Sequence, residues 1–247
     1  REGESNKLEF KLPRRKLVIE PVALDQVRMF EGGIGYVKID SFNRLTASFF
    51  DQALAKLRKE GELKGLVIDL RNNPGGMVDA AVELASRLLE RDKTVFWAAA
   101  RGNGQRYRAQ TAGVNKPDLA LPVAVLINRY SASAAEIVAG ALQDHKRAVI
   151  VGDRSFGKGS IQRSWPLSNG GAIRFTVAYY QTPEGRMIDH QGVSPDLTLP
   201  TSEREALNLP PPEKDLQLQK ALELLRKNDK KEVEPEKKEN FSSSKPS

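Results

Sequence analysis

The sequence predicts an α/β protein in which strands and helices alternate around one core. Short apolar runs of strand length alternate with longer segments whose apolar residues recur at helical spacing, the pattern of a buried helix face. Late in the chain the apolar period becomes two on either side of Asn169-Gly170-Gly171, a turn signal that predicts a β-hairpin. Alternation of strands and helices before that hairpin favours a layered fold.

The predicted elements follow one another closely along the chain. Strands are predicted over residues 34–39, 66–70, 94–98, 123–127, 148–151, 161–167 and 172–180. Helices are predicted from Thr46, a good N-cap residue, from Val78 to Leu89, and after Ser133. The first helix presents Phe49, Phe50, Leu54 and Leu57 on one face.

Composition excludes several classes of protein. The chain has 247 residues, of which 39% are hydrophobic, as in ordinary globular proteins. No run approaches the roughly 18 apolar residues of a membrane span, and the absence of cysteine excludes disulfides, thiol catalysis and cysteine-bound metal. The net charge of +7 is scattered. Its densest stretches are Arg14-Arg15-Lys16 and the tail after Lys227, where acids lie beside the bases, which favours a solvated surface over a nucleic-acid site.

The two ends of the chain differ from its middle. Residues 1–20 alternate apolar and polar side chains around Pro13 and predict one or two leading strands, whereas residues 21–200 form the predicted core. Residues 201–228 contain a stiff proline linker and a helix whose apolar stripe must dock on the core. Residues 229–247 are rich in Lys, Glu and Ser and predict a disordered tail.

The predicted C-terminal helix has clear start and packing signals. Asp215 is its expected cap, after the linker Pro210-Pro211-Pro212. Leu218, Leu222 and Leu225 recur at helical spacing and make the apolar stripe.

Ser133 is the first candidate for catalytic chemistry. It lies among small residues after the predicted strand 123–127 and at the start of a helix, where a hydroxyl can face outward beside free backbone amides. The same position is also that of a simple helix cap. Ser131 lies in the same turn and competes for the role, but the helical face begins just after Ser133, so capping is the better interpretation of Ser131.

Lys158 is the second candidate, because it lies between Gly157 and Gly159 in a loop. A lysine accepts a proton only in its neutral form, which burial favours. Phe156 and Ile161 could supply an apolar wall around it. A serine hydroxyl and a neutral lysine together could perform acyl transfer as nucleophile and general base.

Two other catalytic patterns fit less well. The run from Gly152 to Gly157-Lys158 matches most of a phosphate-binding P-loop, but Gly159 replaces the hydroxyl residue and a predicted strand follows in place of a helix. A Ser-His-Asp triad could use only His145 or His190, and neither has a distinctive spacing. No His-Glu-x-x-His string supports a zinc protease.

Several strings, in order, resemble the C-terminal processing peptidases, also called tail-specific proteases. The resemblance runs from about Gly33 to Pro200. Its strings are Asp69-Leu70-Arg71-Asn72-Asn73-Pro74-Gly75-Gly76, Ser131-Ala132-Ser133-Ala134, Gly140-Ala141-Leu142-Gln143-Asp144, Phe156-Gly157-Lys158-Gly159 followed by Gln162, Tyr180-Gln181-Thr182-Pro183, and Gly192-Val193-Ser194-Pro195-Asp196.

The resemblance implies a role for each matching residue. Ser133 would be the nucleophile, Lys158 the general base and Gln162 the residue that orients the lysine, while the amides of Gly76 and Ala134 would form the oxyanion hole. No metal or cofactor is implied. Gln162 could instead be a strand residue that faces solvent.

Two neighbouring positions in the matched strings leave alternatives open. Gly75 competes with Gly76 for the oxyanion role, because both follow the same turn. Asp144 matches an acidic position of the family, but a structural role at a helix end is the better interpretation.

The resemblance further implies a crotonase-like core of repeated strand-strand-helix units, an extracytoplasmic location such as the periplasm, and protein or peptide substrates with accessible C-terminal tails. Nothing in the pattern indicates a nucleic acid or a particular oligomeric state.

The family carries a PDZ domain just upstream, and residues 7–20 look like its final strand, so they are either a remnant of that domain or the protein lacks it. Two functions remain: a Ser-Lys endopeptidase, or a non-catalytic or latent peptide-binding scaffold on the same fold.

Overall fold

The structure, a computed structural model, describes residues 13, 19–100, 106–111 and 120–231, with side chains up to residue 227. Within these residues it contains a six-stranded sheet and a four-stranded sheet, with helices against the larger one. The predicted α/β class is therefore confirmed. The predicted leading strands over 1–20, apart from residues 13, 19 and 20, and the predicted tail over 229–247, apart from residues 229–231, lie outside the described residues. Residues 229–231 are helical, so the helix predicted to end at residue 228 continues three residues further.

The larger sheet has the strand order β1-β2-β3-β6-β7-β10. Its strands are β1 (Arg28–Phe30), β2 (Ile34–Lys38), β3 (Gly65–Asp69), β6 (Val123–Ile127), β7 (Ala148–Gly152) and β10 (Leu197–Thr198). Only β1 pairs antiparallel; the other pairs are parallel. Because parallel strands buried on both faces are mostly apolar, β6 appears in the sequence as an uninterrupted apolar run, whereas β3 is apolar until it ends at the buried Asp69.

Helices cover both faces of this sheet. The helices α1 (Thr46–Glu60), α2 (Val78–Leu88) and α3 (Ala134–Asp144) pack on one face, against strand residues such as Leu66 and Val125. The helix α5 (Leu216–Lys231) packs on the other face, where Leu218, Leu222 and Leu225 meet the alternate strand residues Val67, Ala124 and Leu126. Asp215 accepts a hydrogen bond from the backbone N–H of Leu218 over 3.0 Å at the start of α5.

The smaller sheet is antiparallel, with the order β5-β4-β9-β8. Its strands are β4 (Thr94–Ala100), β5 (Arg106–Gln110), β8 (Ser160–Pro166) and β9 (Ala172–Gln181). Ala178 and Tyr180 of β9 reach the core, whereas the far end of the β8–β9 hairpin exposes Trp165 stacked on Phe175 with ring centroids 5.4 Å apart. The hairpin therefore extends away from the core, and its first strand begins two residues after Lys158.

Several local features differ from the sequence prediction. Thr46 is the first residue of α1 and Leu45 occupies the cap position, because the Thr46 hydroxyl accepts from the backbone N–H of Asn43 over 2.9 Å in the preceding turn. The strands β1, β5 and β10 and the five-residue helix α4 (Glu203–Leu207) were not predicted, since each is short or has few buried apolar residues.

None of the helices in the described part of the chain combines the length and apolar character needed to cross a bilayer.

Candidate active site

Ser133 lies where β6 and a short turn lead into α3, in a backbone conformation that few side chains adopt. Its φ is 56° and its ψ is −114°, outside the common regions for a residue with a Cβ. Such conformations persist only where surrounding contacts hold them, and they cluster at functional sites. The backbone N–H of Ser133 donates to the Glu136 carboxylate over 2.8 Å, which is one such contact.

The turn from Arg71 to Gly76 lies directly against Ser133. The backbone N–H of Ala132 donates to the carbonyl of Asn73 over 2.9 Å. A Cβ added at Gly75, whose φ is +94°, would lie 2.7 Å from the Ser133 Cβ and 2.6 Å from the Ala132 carbonyl oxygen. Glycine is therefore required at position 75 for the two turns to meet.

Two backbone N–H groups beside Ser133 have no partner within the described part of the chain. They belong to Gly76 and to Ala134, the first residue of α3. The N–H of Gly75, in contrast, donates to the Asn73 side chain over 2.8 Å. Of the two glycines, Gly76 is thus the one whose N–H group is available to donate a hydrogen bond, as an oxyanion hole requires.

Glu136 joins the two candidate catalytic segments, and sequence reasoning missed it. Its buried carboxylate accepts from the backbone N–H groups of Ser133, Gly157 and Lys158 over 2.6 to 2.8 Å, and from the Ser155 hydroxyl over 2.6 Å. The Ser133-x-x-Glu136 spacing is that of a helix capping box, and this signal could have identified it. One side chain therefore holds the backbones of the serine turn and the lysine loop together.

Ser131 is buried, and its hydroxyl both donates and accepts a hydrogen bond. Its hydroxyl donates to the carbonyl of Leu70 over 2.8 Å and accepts from the N–H of Asn128 over 2.9 Å. It joins the ends of β3 and β6 and does not cap α3, so its role is structural and differs from the helix cap that the sequence favoured.

The side chain of Lys158 is exposed, unlike the buried amine expected from the sequence. Phe156, the expected apolar wall, is itself 64% exposed. Among the described residues, Lys158 Nζ makes no hydrogen bond to Ser133 or to Gln162. The loop backbone is held by Glu136, but the reactive end of the lysine is open to solvent.

Gln162 is exposed on β8, next to an irregularity in the strand. The pairing of β8 with β9 shifts register between Ile161 and Gln162, which lies opposite Thr176. The even spacing of Lys158 and Gln162 does not have the meaning it has within one straight strand, because Lys158 lies in the loop before β8, which begins at Ser160.

An open cleft of about 510 Å³ begins beside Lys158. Apolar side chains from three segments line it: Pro74 of the turn before Gly76, Ala132 before the serine, and Leu207 at the end of α4. Phe156 lines it as well. The cleft offers an apolar surface next to the candidate reacting groups.

The competing catalytic residues lie elsewhere. The His145 ring nitrogen Nε2 lies 2.8 Å from the carbonyl oxygen of Thr94, at the opposite end of α3 from Ser133. The His190 side chain is 93% exposed and lies 3.5 Å from Asp189. Asp144 accepts from the N–H of Glu184 and pairs with Arg186, so it has structural partners.

The loop after Gly152 continues into a strand, β8, and not into the helix that a P-loop requires. Within the described residues, no group of three acidic or histidine side chains has an arrangement that could hold a metal ion.

Comparison with known proteins identifies the family. Residues 33–199 match the model of Peptidase family S41. The chain is 41% identical over 205 residues to the chloroplastic C-terminal processing peptidase of Tetradesmus obliquus, which covers 79% of this chain and 43% of that protein. It is 35% identical over 199 residues to the carboxy-terminal processing protease CtpB of Bacillus subtilis, covering 81% of this chain and 41% of that one.

A solved structure, the photosystem II D1 C-terminal processing protease, aligns with a TM-score of 0.65 and 41% identity over 76% of this chain and 50% of that one. The chain thus spans half or less of the length of these relatives. The family match covers more than half of the chain and includes the Ser133 turn, the Lys158 loop and the turn at Gly76. The chain therefore belongs to Peptidase family S41.

Proposed function

We propose that this protein is a serine endopeptidase of the Ser-Lys type that cleaves protein substrates near their C-termini. The observation that carries the proposal is the arrangement around Ser133: its backbone conformation is unusual, the glycine turn packs against it, and the N–H groups of Gly76 and Ala134 have no partner among the described residues. Acyl transfer requires a nucleophile together with donors aimed at the developing oxyanion. The names of the relatives, which are processing proteases, support the same chemistry.

The proposed reaction has two halves. Ser133 Oγ attacks the carbonyl carbon of the scissile bond while Lys158 Nζ takes the hydroxyl proton, and the N–H groups of Gly76 and Ala134 stabilise the oxyanion. Lys158 then returns the proton to the leaving amine, and water hydrolyses the acyl-enzyme with Lys158 again as base. Gln162 would orient the lysine during both halves. The proposed chemistry uses no metal or cofactor.

The exposed lysine supports a second candidate function. Lys158 makes no hydrogen bond to Ser133, so the same fold could be a latent or non-catalytic peptide-binding scaffold. Catalysis requires the Lys158 amine to turn toward Ser133 Oγ and to lose contact with water. Bound substrate could provide that covering, since the cleft beside Lys158 is open and apolar.

The proposal also covers the substrates, the cellular location and the division of the chain into segments. Proteins or peptides with accessible C-terminal tails are the expected partners, because the relatives are named for processing at that end. An extracytoplasmic location, in a periplasm, a lumen or the cell exterior, remains part of the proposal. So does the division of the chain into leading strands over 1–20, a protease core over 21–200, a linker with a docked helix over 201–228 and a tail over 229–247.

Peptide cleavage by the full chain and by four variants tests the proposal. An unstructured peptide with a free C-terminus should be cut by the unaltered protein, and not by Ser133→Ala, Lys158→Ala or Lys158→Arg. The arginine variant should fail because a guanidinium does not deprotonate in a protein. Lys146→Arg, at another exposed lysine, should retain full turnover.

Circular dichroism establishes that each variant is folded. Near-normal turnover by a folded Lys158→Arg would refute the dyad and direct attention to His145 or His190. Binding of the peptide without cleavage by the unaltered protein would support the scaffold.

A further inference from the structure

Arg71 is a buried cation at the start of the turn that leads to Gly76. Its side chain is 2% exposed, and its guanidinium donates to both carboxylate oxygens of Asp69 over 2.6 to 3.1 Å. A buried charge that loses a partner is strongly destabilising, so a guanidinium at this depth needs acceptors around its edges. The acceptors of Arg71 therefore decide where the first residue of the turn lies.

Asp215 is the second carboxylate partner of Arg71. Nη1 of Arg71 donates to Oδ1 of Asp215 over 3.0 Å, and Nη2 donates to Oδ2 over 2.7 Å. Gln217 accepts from Nη1 over 3.1 Å. Asp215 lies outside residues 33–199, which match the family, so the C-terminal segment completes a bonding network that begins inside the matched core.

The same carboxylate also begins α5. Oδ1 of Asp215 accepts from the backbone N–H of Leu218, and Leu222 and Leu225 of that helix are buried against the larger sheet. Packing of α5 therefore places Asp215, and Asp215 places Arg71. The position of the helix is thereby linked to the position of the turn.

Asp69 makes this network difficult to rearrange. Burial raises the pKa of its carboxyl, but the charge and hydrogen bonds of Arg71 outweigh burial and hold that pKa below its ordinary value. The hydroxyl of Tyr36 also donates to Asp69 over 2.7 Å. Moving Arg71 away from Asp69 and Asp215 would leave buried charges unpaired. The guanidinium is therefore held rigidly only while both carboxylates are present.

We propose that Asp215 is a positioning residue: it holds Arg71, and through Arg71 it keeps the turn that carries the Gly76 N–H in place against Ser133. The kinetic consequence rests on the proposed peptidase function. A pocket of about 270 Å³ that Arg71, Tyr36 and Asp215 help to line gives the Nη1 side of the guanidinium room to shift once Asp215 is altered, while Asp69 still bonds Nε and Nη2. The Gly76 donor would then shift from its place in the oxyanion hole.

Asp215→Asn is the test variant, because it keeps the size of the side chain and an oxygen that can cap α5. Its amide group would face Arg71 with a donor in place of an acceptor. We expect kcat to fall on the order of 10-fold, with KM changed less than about twofold, since only transition-state stabilisation is affected. Hydrogen–deuterium exchange in residues 71–76 should become faster.

Leu222→Ala is the matched control in the same helix. It removes one buried contact of α5, while Leu218 and Leu225 still pack on the sheet and Asp215 still bonds Arg71, so it should lower the melting temperature but change kcat and the exchange of residues 71–76 much less than Asp215→Asn does. The inference is overturned if Asp215→Asn leaves both kcat and exchange unchanged, or if the two variants lower kcat equally. If the unaltered protein does not cleave peptides, the proposed function fails, and faster exchange at 71–76 in Asp215→Asn alone still decides the inference.

Discussion

The serine half and the lysine half of the candidate site are built differently. Ser133, its flanking donors and Glu136 are held by backbone hydrogen bonds and by close contact with the glycine turn. In the other half, the side chains of Lys158 and Gln162 are exposed and make no hydrogen bond to each other among the described residues. The fold therefore holds Ser133 and the turns that carry the Gly76 and Ala134 N–H groups in advance, whereas Lys158 must move toward Ser133 if it is to act as the proposed base.

Gly75→Ala should break the serine half and have the largest effect on turnover. The added Cβ would meet Ser133 and Ala132 at less than 3 Å, so the turn must move away from Ser133, the proposed nucleophile. Displacing an oxyanion donor costs on the order of 100- to 1,000-fold in kcat. Steady-state cleavage of a peptide measures this loss.

Gly185→Ala is the control for backbone strain. Gly185 has a φ of +88°, close to that of Gly75, but no atom lies within 4 Å of a Cβ added there. It should cost on the order of 1 to 2 kcal/mol of stability and leave kcat unchanged. Equal losses of activity in the two alanine variants would contradict the role of close contact at Gly75.

Glu136→Gln should loosen the connection between the two halves. A glutamine offers one acceptor oxygen and an amide donor where a carboxylate now accepts four hydrogen bonds. We expect a lower melting temperature and a loss on the order of 100-fold in kcat, because small displacements of reacting groups are costly.

Glu205→Gln is its control, since Ser202 and Glu205 form the same capping motif on the exposed helix α4. That variant should change stability by less than about 1 kcal/mol and leave activity intact. A Glu136→Gln protein as active as Glu205→Gln would show that the connection is not needed.

Gln162→Ala should have the smallest effect on kcat, because it changes the lysine half of the site, whose side chains the fold does not hold in place. If Gln162 orients Lys158 through one hydrogen bond in the working enzyme, its loss is worth about 1 kcal/mol, or up to roughly 10-fold in kcat. Thr176→Ala, at the half-buried position opposite Gln162 on β9, is the natural comparison. Identical kinetics for both variants and the unaltered protein would assign Gln162 to the solvent-facing surface.

The parts of the fold that the sequence predicts correctly are those with strong apolar patterns. The strand Val123–Ile127 was predicted with its observed bounds, because burial on both faces makes every residue apolar. The strand Arg106–Gln110 was missed, because it is an exposed edge with polar residues. Short edge strands carry too little burial to leave a signal in sequence.

At the site, residue identity was more predictable than conformation. Ser133, Lys158 and Gly76 stood out by motif, and Glu136 could have been found from its capping-box spacing. The positive φ of Ser133 and the free N–H of Gly76 depend on contacts between turns far apart in sequence, so no local pattern encodes them. The exposure of Lys158 likewise depends on what packs over its loop.

Covalent labelling with a fluorophosphonate, followed by mass mapping of the adduct, tests the central claim most directly. We expect one adduct, on Ser133, in the unaltered protein, and labelling slower by about 100-fold or more in folded Lys158→Ala, because general-base assistance is lost. The labelling rate of Lys146→Ala should equal that of the unaltered protein. An adduct on another residue, no adduct at all, or equal rates with and without Lys158 would contradict Ser133 and Lys158 as nucleophile and base.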